Sequence, residues 1–394
     1  MKKSLLAMLV SLACLSAQQN ALACTDIFIN KGGFHVEGRT MDFPINMAVT
    51  PLVGFVGQQN TTNPVVNANQ IPAKQLTSWK NKYGYFGRSA FKGPDMIDGM
   101  NSQGFSIGIL YLPGGEYPTY NAADSRPALS AYDLGSYLLA EAKNVDQALQ
   151  LINSHQLVTG AVEVAPGYFV KDIPIHYILR DASGNSAVIG FVDGKTVVYK
   201  NSGNVLANEP TFDWNVKNAA YYDSLHINNK EANPDFVNRV YQYMDIYNSD
   251  FRHAESNLLG VPGDFTSPSR FARAKVILDN YPAPTTTAQA LYQAELVNDS
   301  MATPLFANAT ATIWATIKDL DNRVVYYKDY GYYQGDGSFY ALPITSGYTA
   351  VNLKNIHFNA IPQGYNASVI QATPASEIKN LMSANDMPVF KGVD

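Results

Sequence analysis

A thiol that becomes the first residue of its chain constrains this protein more than any other feature of the sequence. Lys2 and Lys3 precede an apolar stretch from Leu5 to about Ala17, and Ala21-Leu22-Ala23 follows, the small-x-small pattern of a signal-peptidase site. The stretch is too short for a stop-transfer helix, and no second run of about 20 apolar residues follows. Residues 1–23 are therefore expected to be a signal peptide that is removed, leaving a periplasmic or secreted chain without a membrane span. Cleavage after Ala23 discards Cys14 and makes Cys24 the new N-terminus, with a free α-amine on its own Cα. No other cysteine occurs, which excludes a disulfide framework and a thiolate zinc site.

A lipoprotein signal also places cysteine first, but it wants an aliphatic residue at −3 and a small one at −2, the reverse of Ala21 and Leu22. Exported proteins usually avoid an unpaired thiol because it oxidises or cross-links. Nucleophilic catalysis gives a retained one a purpose. Free cysteine has a pKa near ~8.5 and an α-amine near ~7.7, so the amine serves as general base near neutral pH. Nucleophile and base then share one residue. The six histidines form no metal-ligand spacing, and His35 reads as a structural histidine on a strand more readily than as half of a Cys-His dyad.

Composition narrows the class of function. Charged residues are 15% of the 394, against roughly 25% in a typical soluble domain, and 46% are hydrophobic. The formal charge is −5, and loss of Lys2 and Lys3 leaves 26 basic against 33 acidic side chains, a net −7. Such a chain offers no basic field for nucleic acid and is neither disordered nor a coiled coil. There is no internal repeat, low-complexity tract or Gly-Ser linker, so residues 24–394 are expected to form a single domain.

Thr25 to Asn30 predicts a strand, Lys31-Gly32-Gly33 a tight turn and Phe34 to Arg39 the hairpin partner. A second hairpin is predicted from Ile97 to Met100, a turn over 101–104, and Phe105 to Leu112. Residues 130–154 carry helical periodicity in two pieces, with Asn144 and Gln147 resembling a capping box for the second. Strands are expected at Ile175 to Arg180, Ser186 to Val192, Lys195 to Tyr199, 311–318 and 322–329, and helices at 235–248, 268–280 and 287–299. The stretches 57–75 and 329–338 read as surface loops. Strands and helices come in groups, which points to α+β layers with mostly antiparallel sheets.

Several polar residues stand out. Arg39 and Asp42 lie at the end of the strand that pairs with the Cys24 strand, where an arginine favours a thiolate and a carboxylate accepts from the α-amine. The alternative is a surface ion pair. With Ser267 as N-cap and Pro268 opening a helix, Arg270 falls in the first turn, where the helix dipole disfavours a cation by ~0.3–1 kcal/mol. Either a buried anion compensates or the arginine is solvated. Asn208, before Glu209-Pro210, is positioned as an oxyanion donor or as a turn-forming asparagine. Trp79 lines an acyl pocket or belongs to the core.

Cys24-Thr25, Gly38-Arg39-Thr40-Met41-Asp42, Asp98-Gly99-Met100-Asn101 with Gly104, Asn208-Glu209-Pro210-Thr211-Phe212-Asp213-Trp214, and Pro262-Gly263-Asp264-Phe265-Thr266 with Ser269-Arg270-Phe271 stand in order along most of the chain. In this the sequence resembles the choloylglycine hydrolase family of penicillin V acylases and bile salt hydrolases, and within it the exported Gram-negative, penicillin V acylase-like branch. The resemblance implies an N-terminal nucleophile hydrolase with a four-layer αββα sandwich, often tetrameric, acting on a small-molecule acyl amide without cofactor or metal. It implies Cys24 as nucleophile and base, Arg39 and Asp42 as its partners, Asn208 as oxyanion donor and Arg270 as organiser of the site. Tyr111 falls where bile-salt-cleaving members carry asparagine, and the adjoining backbone amide would complete the oxyanion hole. Penicillin V or N-acyl homoserine lactones are the substrates this implies, with conjugated bile salts as the alternative. An inactive exported binding protein, or a lipoprotein acylated at Cys24, is the reading from another class.

Overall fold

The protein is described from a computed structural model over residues 24–361, apart from 45–48, 63–70, 91–95, 160, 166–167, 226–257, 259, 305–309, 333–342 and 346. The helix expected at 235–248 lies outside the described residues.

The chain opens with strands β1 (Thr25–Lys31) and β2 (Phe34–Pro44), joined by a turn in which Gly32 and Gly33 both have positive φ, 66° and 80°. A Cβ on Gly32 would also sit 2.3 Å from the carbonyl oxygen of Pro284, so both backbone conformation and space demand glycine. Strands β3 (Val49–Gly54), β4 (Tyr85–Ala90), β5 (Met96–Asn101) and β6 (Phe105–Tyr111) follow. Next come helices α1 (Leu134–Glu141) and α2 (Val145–Asn153), then β7 (Ile175–Asp181), β8 (Ser186–Val192), β9 (Lys195–Lys200) and β10 (Val205–Ala207). Helices α3 (Phe212–Ala219), α4 (Ser267–Asn280) and α5 (Thr287–Met301) precede β11 (Thr310–Asp319), β12 (Val324–Tyr332), β13 (Pro343–Thr345) and β14 (Thr349–Asn352).

Two seven-stranded antiparallel sheets result. The first runs β10-β1-β2-β11-β12, with β13 and β14 both pairing to β12; the second runs β9-β8-β7-β6-β5-β4-β3. Helices α4 and α5 cover the outer face of the first sheet, and α1 and α2 that of the second. The fold is thus the expected α+β, four-layer αββα sandwich.

Local chemistry accounts for many boundaries. Asn144 caps α2 by accepting from the Gln147 N–H at 3.0 Å, while the Gln147 side chain reaches back to the Lys143 N–H at 2.9 Å, one residue earlier than a standard capping box. Asn101 accepts from the backbone of Gln103 and Phe105 and donates to the carbonyls of Leu139 and Ala142, binding the β5-β6 turn to the end of α1.

Some expectations change. Thr266, not Ser267, is the N-cap of α4, and Ser267 and Pro268 are its first two residues, so Arg270 stays in the first turn. The start of the expected 57–75 loop is buried: Gln58, Asn60 and Thr62 lie inside, because Gln59–Thr61 pairs with Ser78–Lys80. The expected 329–338 loop begins as strand, since β12 continues to Tyr332; positions 333–338 lie outside the described residues.

Candidate active site

Sheet register gathers the site. Thr25 pairs with Thr40 on one side and with Ala207 on the other. One step further along the antiparallel ladder, Cys24 stands beside Asn208. Side-chain alternation puts Cys24, the residue just before β1, with Asp26 and Phe28 of β1 on the same face as Arg39 and Met41 of β2. That face meets the second sheet, so Cys24 is buried, at 2% exposure.

The Cys24 Sγ lies 3.3 Å from the Met41 Sδ. Arg39, fully buried, donates through Nη1 to the Ile97 carbonyl at 2.5 Å and through Nη2 to the Ile109 carbonyl, and its guanidinium lies 5.3 Å from the Trp314 ring centroid. Asp42 accepts from Arg270 Nη1 at 3.1 Å, from Thr303 Oγ1 at 3.2 Å and from Thr312 Oγ1. Arg270 Nη1 also donates to Thr25 Oγ1, and its Nε donates to the Phe265 carbonyl at 3.2 Å. The buried anion that compensates Arg270 is therefore Asp42. Neither Arg39 nor Asp42 is a surface ion-pair residue, since both are fully buried.

Burial governs the titrations. It pushes the Cys24 thiol up, opposed by the positive charge of Arg39. It pushes the Asp42 carboxyl up to about 6, with Arg270, Thr312 and Thr303 pulling the other way. Tyr111, at the end of β6 opposite Ile175, is raised by burial and then by the charge of Glu209, which also acts on Arg270. Tyr111 thus shares its surroundings with Glu209, the residue after Asn208. Trp79 is placed differently: it packs edge-on against Tyr137 of α1 at 5.3 Å, a core position beside the outer helices.

Sequence reading missed a layer of buried charge between the sheets. Arg180 of β7 holds Asp26 Oδ1 at 2.6 and 2.9 Å. Lys318 of β11 lies 2.9 Å from Glu37 and 2.6 Å from Asp98, and Ser106 donates to Glu37. His176 of β7 is also buried there and depressed to about 3 by burial and by Arg39, so it stays neutral. The available signal was charge at alternate, inward positions of otherwise apolar strands: Asp26, Glu37, Arg39, Lys318. Among the described residues, no group of three or more His, Cys, Asp or Glu side chains is arranged to hold a metal ion, and no helix is long and apolar enough to cross a membrane.

Residues 24–334 match the family model for linear amide C–N hydrolases of the choloylglycine hydrolase family, and the chain belongs to that family. It is 33% identical over 154 residues to penicillin V acylase of Pectobacterium atrosepticum, covering 37% of this chain but only 40% of that protein. It is 26% identical over 261 residues to a bile salt hydrolase/transferase of Clostridium perfringens, covering 65% of this chain and 72% of that one. Among solved structures, a variant of conjugated bile acid hydrolase from Clostridium perfringens superimposes with a TM-score of 0.62 at 19% identity, over 88% of this chain and 98% of that one. Penicillin V acylase from Agrobacterium tumefaciens gives a TM-score of 0.59 at 18% identity, over 93% and 98%.

Proposed function

We propose that this protein hydrolyses linear amides at Cys24 in two steps, once residues 1–23 have been removed in export. The Cys24 sulfur attacks the amide carbonyl, and the α-amine carries the thiol proton to the leaving nitrogen as the C–N bond breaks. An acyl thioester remains. Water, giving a proton to the same amine, attacks that thioester and releases the acid and the thiol. Asn208 and the backbone amide beside Tyr111 donate to the oxyanion in both steps. Apart from the substrate and water, this route uses only the chain's own residues.

The observation that carries the reading is the position of Cys24: it heads an inner strand beside Asn208, with Arg39 and the Arg270–Asp42 pair buried around it. The family match beginning at Cys24 supports the same residue. For substrate, the penicillin V acylase relative and Tyr111 favour an aromatic or fatty acyl group such as phenoxyacetyl, with N-acyl homoserine lactones in the same class. Arg270 Nη2 has no hydrogen-bond partner among the described residues, which leaves a donor for a substrate carboxylate. Conjugated bile salts are the second reading, favoured by the longer match to the Clostridium protein and opposed by Tyr111. The assembly proposed is a homotetramer, which light scattering would measure.

A hydrolysis panel of penicillin V, a long-chain acyl homoserine lactone and glycocholate tests the reading. Release of amine from at least one, lost in correctly processed Cys24→Ser, is expected. Wild-type turnover by Cys24→Ser would remove the nucleophile. Intact mass separates the other class: a chain beginning at unmodified Cys24 is expected, whereas an added diacylglyceryl group or retention of Met1 would end the proposal.

A further inference from the structure

We infer that Lys318, in a different strand from any residue proposed above to react, is a positioning residue for Cys24: it draws the Asp98 carboxylate to itself and leaves the charge of Arg39 directed at the thiol. The inference rests on the reading of Cys24 as nucleophile.

The geometry is a competition for one oxygen. Asp98 Oδ1 is 2.6 Å from Lys318 Nζ but 3.5 Å from Arg39 Nη1, and Asp98 Oδ2 accepts from Thr316 Oγ1 at 2.9 Å. Arg39 keeps that longer bridge to Asp98 and is held more closely by the carbonyls of Ile97 and Ile109, with the face of Trp314 beside it. Carbonyl dipoles and a ring face orient a guanidinium without cancelling its charge, whereas a tight carboxylate would cancel most of it. The other arginine of the site is already paired, with Asp42. Arg39, bridged to Asp98 only at 3.5 Å, is therefore the cation more available to the thiolate, and Lys318 is what keeps Asp98 from closing on it.

The charged and titratable groups around the thiol fit this assignment. Arg39 and Asp42 face it from β2 and Arg270 from α4. Behind Arg39 stand Asp98 of β5, Lys318 of β11, Glu37 of β2, Asp26 of β1, and Arg180 and neutral His176 of β7; Glu209 lies beyond Arg270. Among the described residues of the buried layer, the cations Arg39, Arg180 and Lys318 face the acidic side chains Asp26, Glu37 and Asp98, while Arg88 of β4 shares the Trp314 ring with Arg39 and pairs with Asp329. Lys318 approaches two of those carboxyl groups, Glu37 and Asp98. Without it, Arg39 becomes the nearest cation to Asp98.

The processed chain carries one thiol, so an alkylating probe reports Cys24 alone. The experiment follows iodoacetamide alkylation against pH in wild type, Lys318→Met, Asp98→Asn and the double variant, with folding monitored by circular dichroism. In Lys318→Met the midpoint is expected to rise by about one pH unit, slowing alkylation near neutral pH about tenfold. Removing the competing carboxylate in the double variant returns it to within a few-fold of wild type, and Asp98→Asn by itself lowers the midpoint. An unmoved midpoint in Lys318→Met, or a double variant no better than the single one, overturns the inference. If Lys318→Met does not fold, Asp98→Asn decides, and a midpoint unchanged or raised overturns it. Wild-type enzyme that keeps its amide hydrolysis after full alkylation overturns Cys24 as nucleophile, and with it any part for Lys318 in the reaction, whatever the midpoints.

Discussion

Arg270 Nη1 and Asp42 Oδ2 meet at 3.1 Å with neither side chain exposed to solvent. The arginine comes from the first turn of α4 and the carboxylate from β2, so the pair joins the outer helical layer to the strand beside Cys24. Removing one partner of a buried pair leaves the other charge without compensation, at about 3–5 kcal/mol. Arg270→Met is expected to lose that much in urea unfolding. The exposed Lys217–Asp213 pair, at 3.4 Å, provides the contrast: Lys217→Met is expected to change stability by less than about 1 kcal/mol.

Asp42 makes the loss depend on pH. Its folded carboxyl, at about 6, titrates above the ordinary aspartate value of 3.8, so the native state binds more protons than the unfolded state between those values. Stability from this group is fully present below the unfolded value and is lost as pH rises through about 6. Asp42→Asn removes that falling slope, roughly 3 kcal/mol across the window. In Arg270→Met the carboxyl retains its proton to still higher pH, so the destabilisation is larger at pH 8 than at pH 5. Denaturant midpoints of the three proteins against pH check both statements.

His176 contributes the opposite slope. Its folded pKa is depressed to about 3 from 6.5, so its stability is present above the unfolded value and is lost as pH falls toward the folded one. His176→Gln is expected to flatten the acid limb of the stability profile below about pH 6.5. An acid limb identical to wild type would contradict the buried, neutral imidazole.

Gly108 faces Arg39 across the sheets. A Cβ there would lie 3.0 Å from Ile178 Cγ2 and 3.1 Å from Arg39 Nη1, and the guanidinium, held by two carbonyls, has little room to yield. Gly108→Ala is expected to cost about 1–3 kcal/mol in unfolding experiments and to slow Cys24 alkylation. An alkylation rate equal to wild type would show that Arg39 accommodates the methyl group without leaving its place.

On the proposed mechanism Asn208 acts on the oxyanion, so Asn208→Ala is expected to lower kcat by about 10²–10³ with little change in KM. Steady-state kinetics on the best substrate of the panel measures it. A variant impaired only in KM would assign Asn208 to substrate binding instead.

Much of this arrangement was legible in the chain itself. The predicted strands either side of the Gly32-Gly33 turn gave the first hairpin, the helices expected at 268–280 and 287–299 match α4 and α5 nearly to their ends, and the position of Arg270 against a helix dipole raised a buried anion as one of two readings. These are short-range properties, in which the backbone's own steric and hydrogen-bonding preferences decide. Short strands such as β3 and β4, and the buried stretch around Asn60, carry too little local pattern and form only because partners distant in sequence offer them a ladder.

What only tertiary structure decided is which charges meet. Nothing near Lys318 in sequence indicates Asp98 or Glu37, and nothing near Trp79 indicates Tyr137. Those contacts arise where two sheets close over a common interior. Removal of water there makes each buried charge dependent on whichever group the packing places beside it. The sequence by itself placed Cys24 just ahead of a predicted strand and, through its resemblance, implied an αββα chain; the closing of the second sheet over that strand decided that Arg39 faces the thiol and that Lys318 stands behind it.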